Sequence, residues 1–209
     1  MKLIDVRELA LEGATVIRFG RFRDDRGYFT EHFRKSDFAA LEGLRIPDFV
    51  QCNESFSRPG TVRGLHFQWD PHMGKLIRTL RGRMIDLMLD IRKGSPTFGK
   101  VIAYDLPYDP DSEHAEWLWV PPGFAHGNLF TEETLIEYFC TGEYSPATEA
   151  GISPLAPDLD WSLCQPELRA VFERVASTTR LMSDRDRNGY TLAAWQASPL
   201  SDNFVYGAL

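Results

Sequence analysis

The sequence predicts an all-β sandwich or barrel with a few short helices at its periphery. Three observations point there. Short apolar/polar alternating segments, separated by Gly and Pro turns, fill most of the first three quarters of the chain. No repeat, low-complexity tract or Gly/Ser linker divides it. With 209 residues, 43% of them apolar, the chain suits one β domain and can bury a sizeable core.

Taken in order, the first element is a short helix over Lys35–Leu41, with Ser36 as its N-cap. Lys75–Leu80 and Met84–Arg92 flank Arg81-Gly82-Arg83 and read as a hairpin. In the second of these strands Ile85, Leu87, Leu89 and Ile91 share one face, and Met84, Asp86, Met88 and Asp90 the other. Methionines mixed with acids suggest a cavity wall rather than an outer surface. Lys100–Leu106, Glu116–Val120 and Thr134–Cys140 are further strand candidates. Gln165–Ala176 predicts an amphipathic helix whose Leu168, Val171, Phe172 and Val175 fall on one side. The tail after Asn188 is rich in Tyr, Leu, Trp and Phe. The expectation is therefore a single domain over 1–209, with an extension from about 160 to 209 packing on the barrel or on a partner subunit.

Composition narrows the function classes. A net charge of −7 argues against nucleic acid, which needs a basic face, yet a few local arginines can still hold a pyrophosphate. Cys52, Cys140 and Cys164 are odd in number and form no C-x-x-C pair, which predicts a reducing cytosol. Acids at Asp5, Glu8 and Glu12 are wrong for a secretory or transit segment. No apolar run approaches the ~20 residues that span a bilayer. The expectation is a cytoplasmic protein with no membrane partner.

Four clusters carry chemistry. His66 lies in RGLHFQ, where alternation puts Gln68 on the same face; a His-x-His metal motif would have its second ligand there. A core histidine donating to a carbonyl is the plain alternative. His126 follows a Pro-Gly turn in WVPPGFAHGN and resembles an inward barrel histidine. Two such histidines can bind a metal only with a third ligand, and no Glu follows shortly after His66. Lys75 opens GKLIR; on a cavity face it needs a partner, for which Asp86 is suited, and it can then stabilise an oxyanion. DDRGYFTE near the N-terminus is turn chemistry, and no glycine-rich phosphate loop accompanies it.

Together the ordered stretches DRGYFTE, FVQCNESFS, VRGLHFQ, GKLIRTLRG, IDLMLDIRKGSPTFGK, LWVPPGFAHG, EYFCTGEYSP and LMSDRD resemble the dTDP-4-dehydrorhamnose 3,5-epimerase family, from Asp25 to Asp186. The resemblance implies a cupin/jelly-roll β-barrel that works as a homodimer on a nucleotide-diphosphate sugar, with no cofactor and no metal. It implies that His66 is the catalytic base, Asp186 the acid orienting it, Tyr138 the proton donor on the opposite face and Lys75 the enolate-stabilising lysine. It places Arg26, Phe29, Glu31, Gln51, Asn53 and Arg63 at contacts to nucleotide, pyrophosphate or sugar, and His126 and Tyr144 at the cavity lining. The chain departs from the family pattern at Ser153-Pro154-Leu155-Ala156-Pro157, in a longer segment between Trp161 and Ser183, and at Glu143, where an aromatic is common.

The implied chemistry is coherent in itself. A ketone at C4 acidifies the hydrogens on C3 and C5, and inversion needs a base on one face and an acid on the other. A neutral imidazole and a phenol suit these roles. Inversion of C3, of C5 or of both uses the same pair. Two other classes compete: a metal-dependent cupin oxygenase or sugar isomerase using His66 and His126, and a sugar-nucleotide binding module without chemistry.

Overall fold

A computed structural model describes residues 3–39, 48–179 and 181–209. The chain opens with β1 (Leu3–Glu8), β2 (Thr15–Gly20) and a small hairpin of β3 (Phe22–Asp24) and β4 (Gly27–Phe29). After the short helix α1 (Lys35–Ala39) come β5 (Gln51–Ser57), β6 (Val62–Gln68), β7 (Lys75–Arg81) and β8 (Arg83–Asp90). Next run β9 (Val101–Pro107), β10 (His114–Val120), β11 (Phe124–Phe130), β12 (Thr134–Cys140) and the short β13 (Glu149–Gly151). The rest is helical: α2 (Pro166–Thr178), α3 (Asp184–Arg187), α4 (Leu192–Ala197) and a 3₁₀ turn over Pro199–Asn203.

The larger strands form two antiparallel sheets, β1-β2-β10-β7-β12-β5 and β13-β6-β11-β8-β9, facing each other as a jelly roll. Apolar side chains fill three layers. Between the sheets lie Ile77, Met84, Met88, Leu118, Phe130 and Ile136. The outer face of the five-stranded sheet packs Leu87, Leu89 and Val101 against Leu168, Phe172, Trp195 and Phe204 of the C-terminal segments. The outer face of the six-stranded sheet is covered around Phe38 by Phe19, Trp117 and Trp119. Met84, Asp86 and Met88 thus face inward and Ile85, Leu87 and Leu89 face the helices, as their alternation predicts.

The expected hairpin between β7 and β8 does not form. The two strands belong to different sheets, and the chain crosses between them at Gly82. Gly82 has φ +79°, and a Cβ there would lie 2.3 Å from the Glu133 carbonyl oxygen, so only glycine makes this corner. Alternation cannot tell a corner from a hairpin, because both leave the side-chain period of the flanking strands intact.

One other local reading differs. The first helix begins at Lys35, so Ser36 sits inside its first turn rather than at the cap; Leu41 lies outside the described residues. By contrast, α2 starts with Pro166 in its first turn and buries Leu168 and Phe172, close to the predicted span. The SPTFG stretch has a structural task. The fully buried Asp90 carboxylate accepts from Arg92, Ser95 and Thr97, and so closes the loop after β8. Among the described residues no helix is long and apolar enough to cross a membrane.

Candidate active site

Two neighbouring strands bring the histidines together. β6 and β11 pair with His66 opposite His126, and the register shifts between His126 and Asn128. Gly64 makes the approach possible: it has φ +99°, and a Cβ would lie 2.6 Å from the His126 carbonyl oxygen.

His66 Nε2 lies 2.6 Å from Asp186 Oδ1. The aspartate sits in α3, whose first turn is set by Ser183 Oγ accepting the Asp186 backbone N–H. Burial pushes the Asp186 carboxyl up, but hydrogen bonds from the His66 ring, the Gly64 backbone and Ser183 outweigh it and hold the group below its ordinary value. An ionised carboxylate only accepts, so His66 Nε2 carries the proton and donates it, which leaves Nδ1 as the basic nitrogen.

The facing sheet supplies Lys75, at the start of β7, and Tyr138, in β12. With His66 they line two adjoining cavities of about 380 and 320 Å³. The histidine therefore meets the phenol and the ammonium across the gap between the sheets. Burial raises the Tyr138 phenol above its usual range, helped by Cys140 and partly opposed by Arg63 and Asn53. Burial lowers the Lys75 ammonium, while the neighbouring Cys140, Asp86 and Glu149 work against that.

Asp86 is not held by Lys75 in an ion pair. Its Oδ2 accepts from His126 Nε2 at 2.6 Å and from Asn128 Nδ2 at 3.2 Å, and Lys75 senses it only through space. Asp86 sits on the facing sheet rather than on a hairpin partner of β7, which is why the expected pairing gives way to a second His–Asp pair. Burial lowers the His126 imidazolium despite Asp86, which favours a neutral ring. Asp86 Oδ1 is buried and meets no hydrogen-bond donor among the described residues.

Of the other expected residues, Gln51, Asn53 and Tyr144 line the first cavity, and Arg63 and His126 the second. Arg26, Phe29 and Glu31 do not join them. Arg26 pairs with Asp24 on the β3–β4 hairpin, Phe29 is 66% exposed, and Glu31 pairs with Arg34. Two residues that sequence reasoning missed also line these cavities, Glu149 the first and Arg185 the second. Glu149 Oε2 accepts from Arg185 at 2.6 Å and from the Tyr144 hydroxyl at 2.9 Å, joining the rim to the helix that holds Asp186. Arg185 adjoins Asp186 within LMSDRD and could have been found there; Glu149, on a three-residue strand, has no comparable signal. A separate cavity of about 210 Å³, lined by Arg21, His32 and Arg78 among others, contains none of the four expected catalytic residues. Among the described residues no group of three His, Cys, Asp or Glu side chains is arranged to hold a metal ion.

A protein-family model described as dTDP-4-dehydrorhamnose 3,5-epimerase matches residues 8–194. The chain belongs to this family. A dTDP-4-dehydrorhamnose 3,5-epimerase of Methanothermobacter thermautotrophicus is 38% identical over 200 residues, 94% of this chain and 95% of that protein. Among solved structures of the family, the rmlC epimerase of Mycobacterium tuberculosis superposes with a TM-score of 0.77 at 31% identity, covering 96% of this chain and 98% of that one. A 3'-monoepimerase of Streptomyces bikiniensis, solved with dTDP-quinovose, gives 0.74 at 30% identity over 90% of this chain and 88% of that one. This family member is accordingly an epimerase, an isomerase by class.

Proposed function

We propose that the protein inverts C3, C5 or both of a dTDP-linked 4-keto-6-deoxyhexose through an enolate. The observation that carries this reading is His66 on one sheet, held by Asp186 of α3, opposite Tyr138 and Lys75 on the other, with His66, Tyr138 and Lys75 bordering both cavities and Asp186 the second. Nδ1 of His66 takes the proton from the carbon next to the ketone, and Asp186 stabilises the resulting imidazolium. The electron pair moves onto O4, where the Lys75 ammonium offsets the charge. The Tyr138 phenol, kept protonated by its burial, then delivers a proton to the same carbon from the opposite side. Base and acid return to their starting states by exchange with solvent.

The nucleotide half lies toward Gln51, Asn53 and Tyr144, with Arg63 available to a phosphate. Arg26, Phe29 and Glu31 fit this reading in a homodimer. The hairpin carrying Phe22, 52% exposed, and Phe29, 66% exposed, would lie over the cavity of a second copy and bring Arg26 to its pyrophosphate. Mixing inactive His66→Ala with inactive Arg26→Ala would then restore part of the activity, because one site of each mixed dimer keeps both residues; no restoration refutes the shared site. A cytosolic setting goes with the free thiols of Cys52, Cys140 and Cys164.

The test is incubation of the dTDP-linked keto sugar in heavy water with NMR of the sugar carbons. Deuterium entering C3 and C5 with the configuration of both carbons changed supports double inversion, and entry with inversion at one carbon alone supports a monoepimerase. No entry at either refutes the reading. His66→Ala should abolish entry while leaving dTDP affinity within about threefold, since the base touches only the sugar.

A further inference from the structure

Gln68 lines the same cavity as His66, two residues along β6, yet its side chain is 3% exposed and fully engaged. Its Nε2 donates to the carbonyls of Pro71 and Glu143, both at 2.9 Å, and its Oε1 accepts the Ser145 backbone N–H at 2.8 Å. Glu143 and Ser145 flank Tyr144 on either side. The Tyr144 N–H itself goes to Gln51 Oε1 at 2.9 Å. Three consecutive residues of the β12–β13 loop are thus held by two glutamines from the barrel wall. The chemistry selects the residue type, because only a primary amide offers two donors to carbonyls and an acceptor to an N–H from one planar group. A carboxylate has no donor, and an imidazole cannot reach all three partners.

We propose that Gln68 is a positioning residue of the substrate site: it fixes Tyr144 at the cavity rim by clamping the backbone on both sides, at the strand position where a His-x-His motif would carry its second metal ligand. This rests on the reading that Tyr144 contacts the nucleotide. The Tyr144 ring is 53% exposed, so its place over the cavity depends on the backbone beneath it and on its hydroxyl bond to Glu149. Gln68 touches the loop rather than the reacting carbons, so its loss acts on binding and not on proton transfer.

The test uses the full chain with Gln68→Ala, Gln68→Glu, Tyr144→Ala and the Gln68→Ala/Tyr144→Ala double variant. Gln68→Ala should raise KM for the dTDP-keto sugar about tenfold with kcat changed less than about threefold, the loss of buried hydrogen bonds read through binding. Amide hydrogen exchange at 143–145 should accelerate in the same variant. In the Tyr144→Ala background the Gln68 effect on KM should vanish, because the ring it positions is gone. Gln68→Glu should bind dTDP weakly at pH 8 and recover part of the native affinity as the pH falls, since the protonated carboxyl regains one of the two donors. Unchanged hydrogen exchange in Gln68→Ala overturns the clamp. So does an undiminished Gln68 effect in the double variant, or a loss confined to kcat. If Tyr144→Ala leaves KM unchanged while Gln68→Ala still loosens the loop, the clamp stands and the nucleotide role of Tyr144 fails.

Discussion

Asp186→Asn removes one charge and leaves nearly the same shape. The asparagine carbonyl can still accept the His66 Nε2 proton across the present 2.6 Å, although the Nδ2 in place of the second oxygen no longer accepts a hydrogen bond. What disappears is the negative charge beside the imidazolium that forms as the sugar gives up its proton. Asp186 is 8% exposed, so solvent screens it only in part. At the effective dielectric of about 20 that describes such sites, opposite charges about 4 Å apart attract by about 4 kcal/mol. A hydrogen bond to a charged group is worth about 1.5–3 kcal/mol. These overlap rather than add, and a loss of about 3–4 kcal/mol corresponds to about 10²–10³ in kcat. The assay is the initial rate of deuterium entry from heavy water into the keto sugar, with dTDP affinity measured by calorimetry on the same preparation. The expected result is an exchange rate down by that factor with affinity unchanged. A variant exchanging within about threefold of the native rate would show that Asp186 does not support the base.

Three further outcomes follow from the same geometry. Lys75→Met should lower kcat by about 10²–10³ with a smaller effect on KM, since in the proposed inversion the ammonium acts on charge that develops at O4, and steady-state kinetics separates the two. His32 accepts the Trp117 indole N–H on Nδ1 at 2.9 Å; burial first, then Arg78 and Arg21, lowers its pKa to about 4. Its folded value lies below the unfolded ~6.5, so the stabilisation is complete above pH 6.5 and is lost as the pH falls toward 4. After allowance for partial exposure this amounts to about 2 kcal/mol, readable as a urea-midpoint difference between native protein and His32→Gln that closes with acidification. Gly64→Ala should cost about 2–4 kcal/mol in a denaturation experiment, because the new Cβ meets the backbone of His126 and Gly127 at 2.6 and 2.7 Å.

The fold was legible where burial imposes a period. Alternation in β8 told inward Met84, Asp86 and Met88 from helix-facing Ile85, Leu87 and Leu89, and the amphipathic run gave α2 close to its observed span. It failed at Gly82, because a turn between partners and a corner between sheets leave the same trace in side-chain period. The grouping of the candidate residues was legible through the ordered motifs: His66, Lys75 and Tyr138 line both cavities, and Asp186, 120 positions after His66, lines one of them. Pairings were less so. Asp86 took His126 rather than Lys75, and Glu149 joined Tyr144 to Arg185, since such choices depend on which strands face each other in space. Arg26, Phe29 and Glu31 line neither cavity, because the motif that carries them lies on a hairpin outside the two large sheets and on the segment after it.

Tyr138→Phe separates the two halves of the proposed inversion. With the phenol gone, His66 can still remove a proton and return a deuteron from the same side. The expected result is deuterium entry from heavy water without change of configuration at that carbon. Inversion persisting at close to the native rate in this variant would contradict it, because the proton on the far face would then come from somewhere other than the β12 tyrosine.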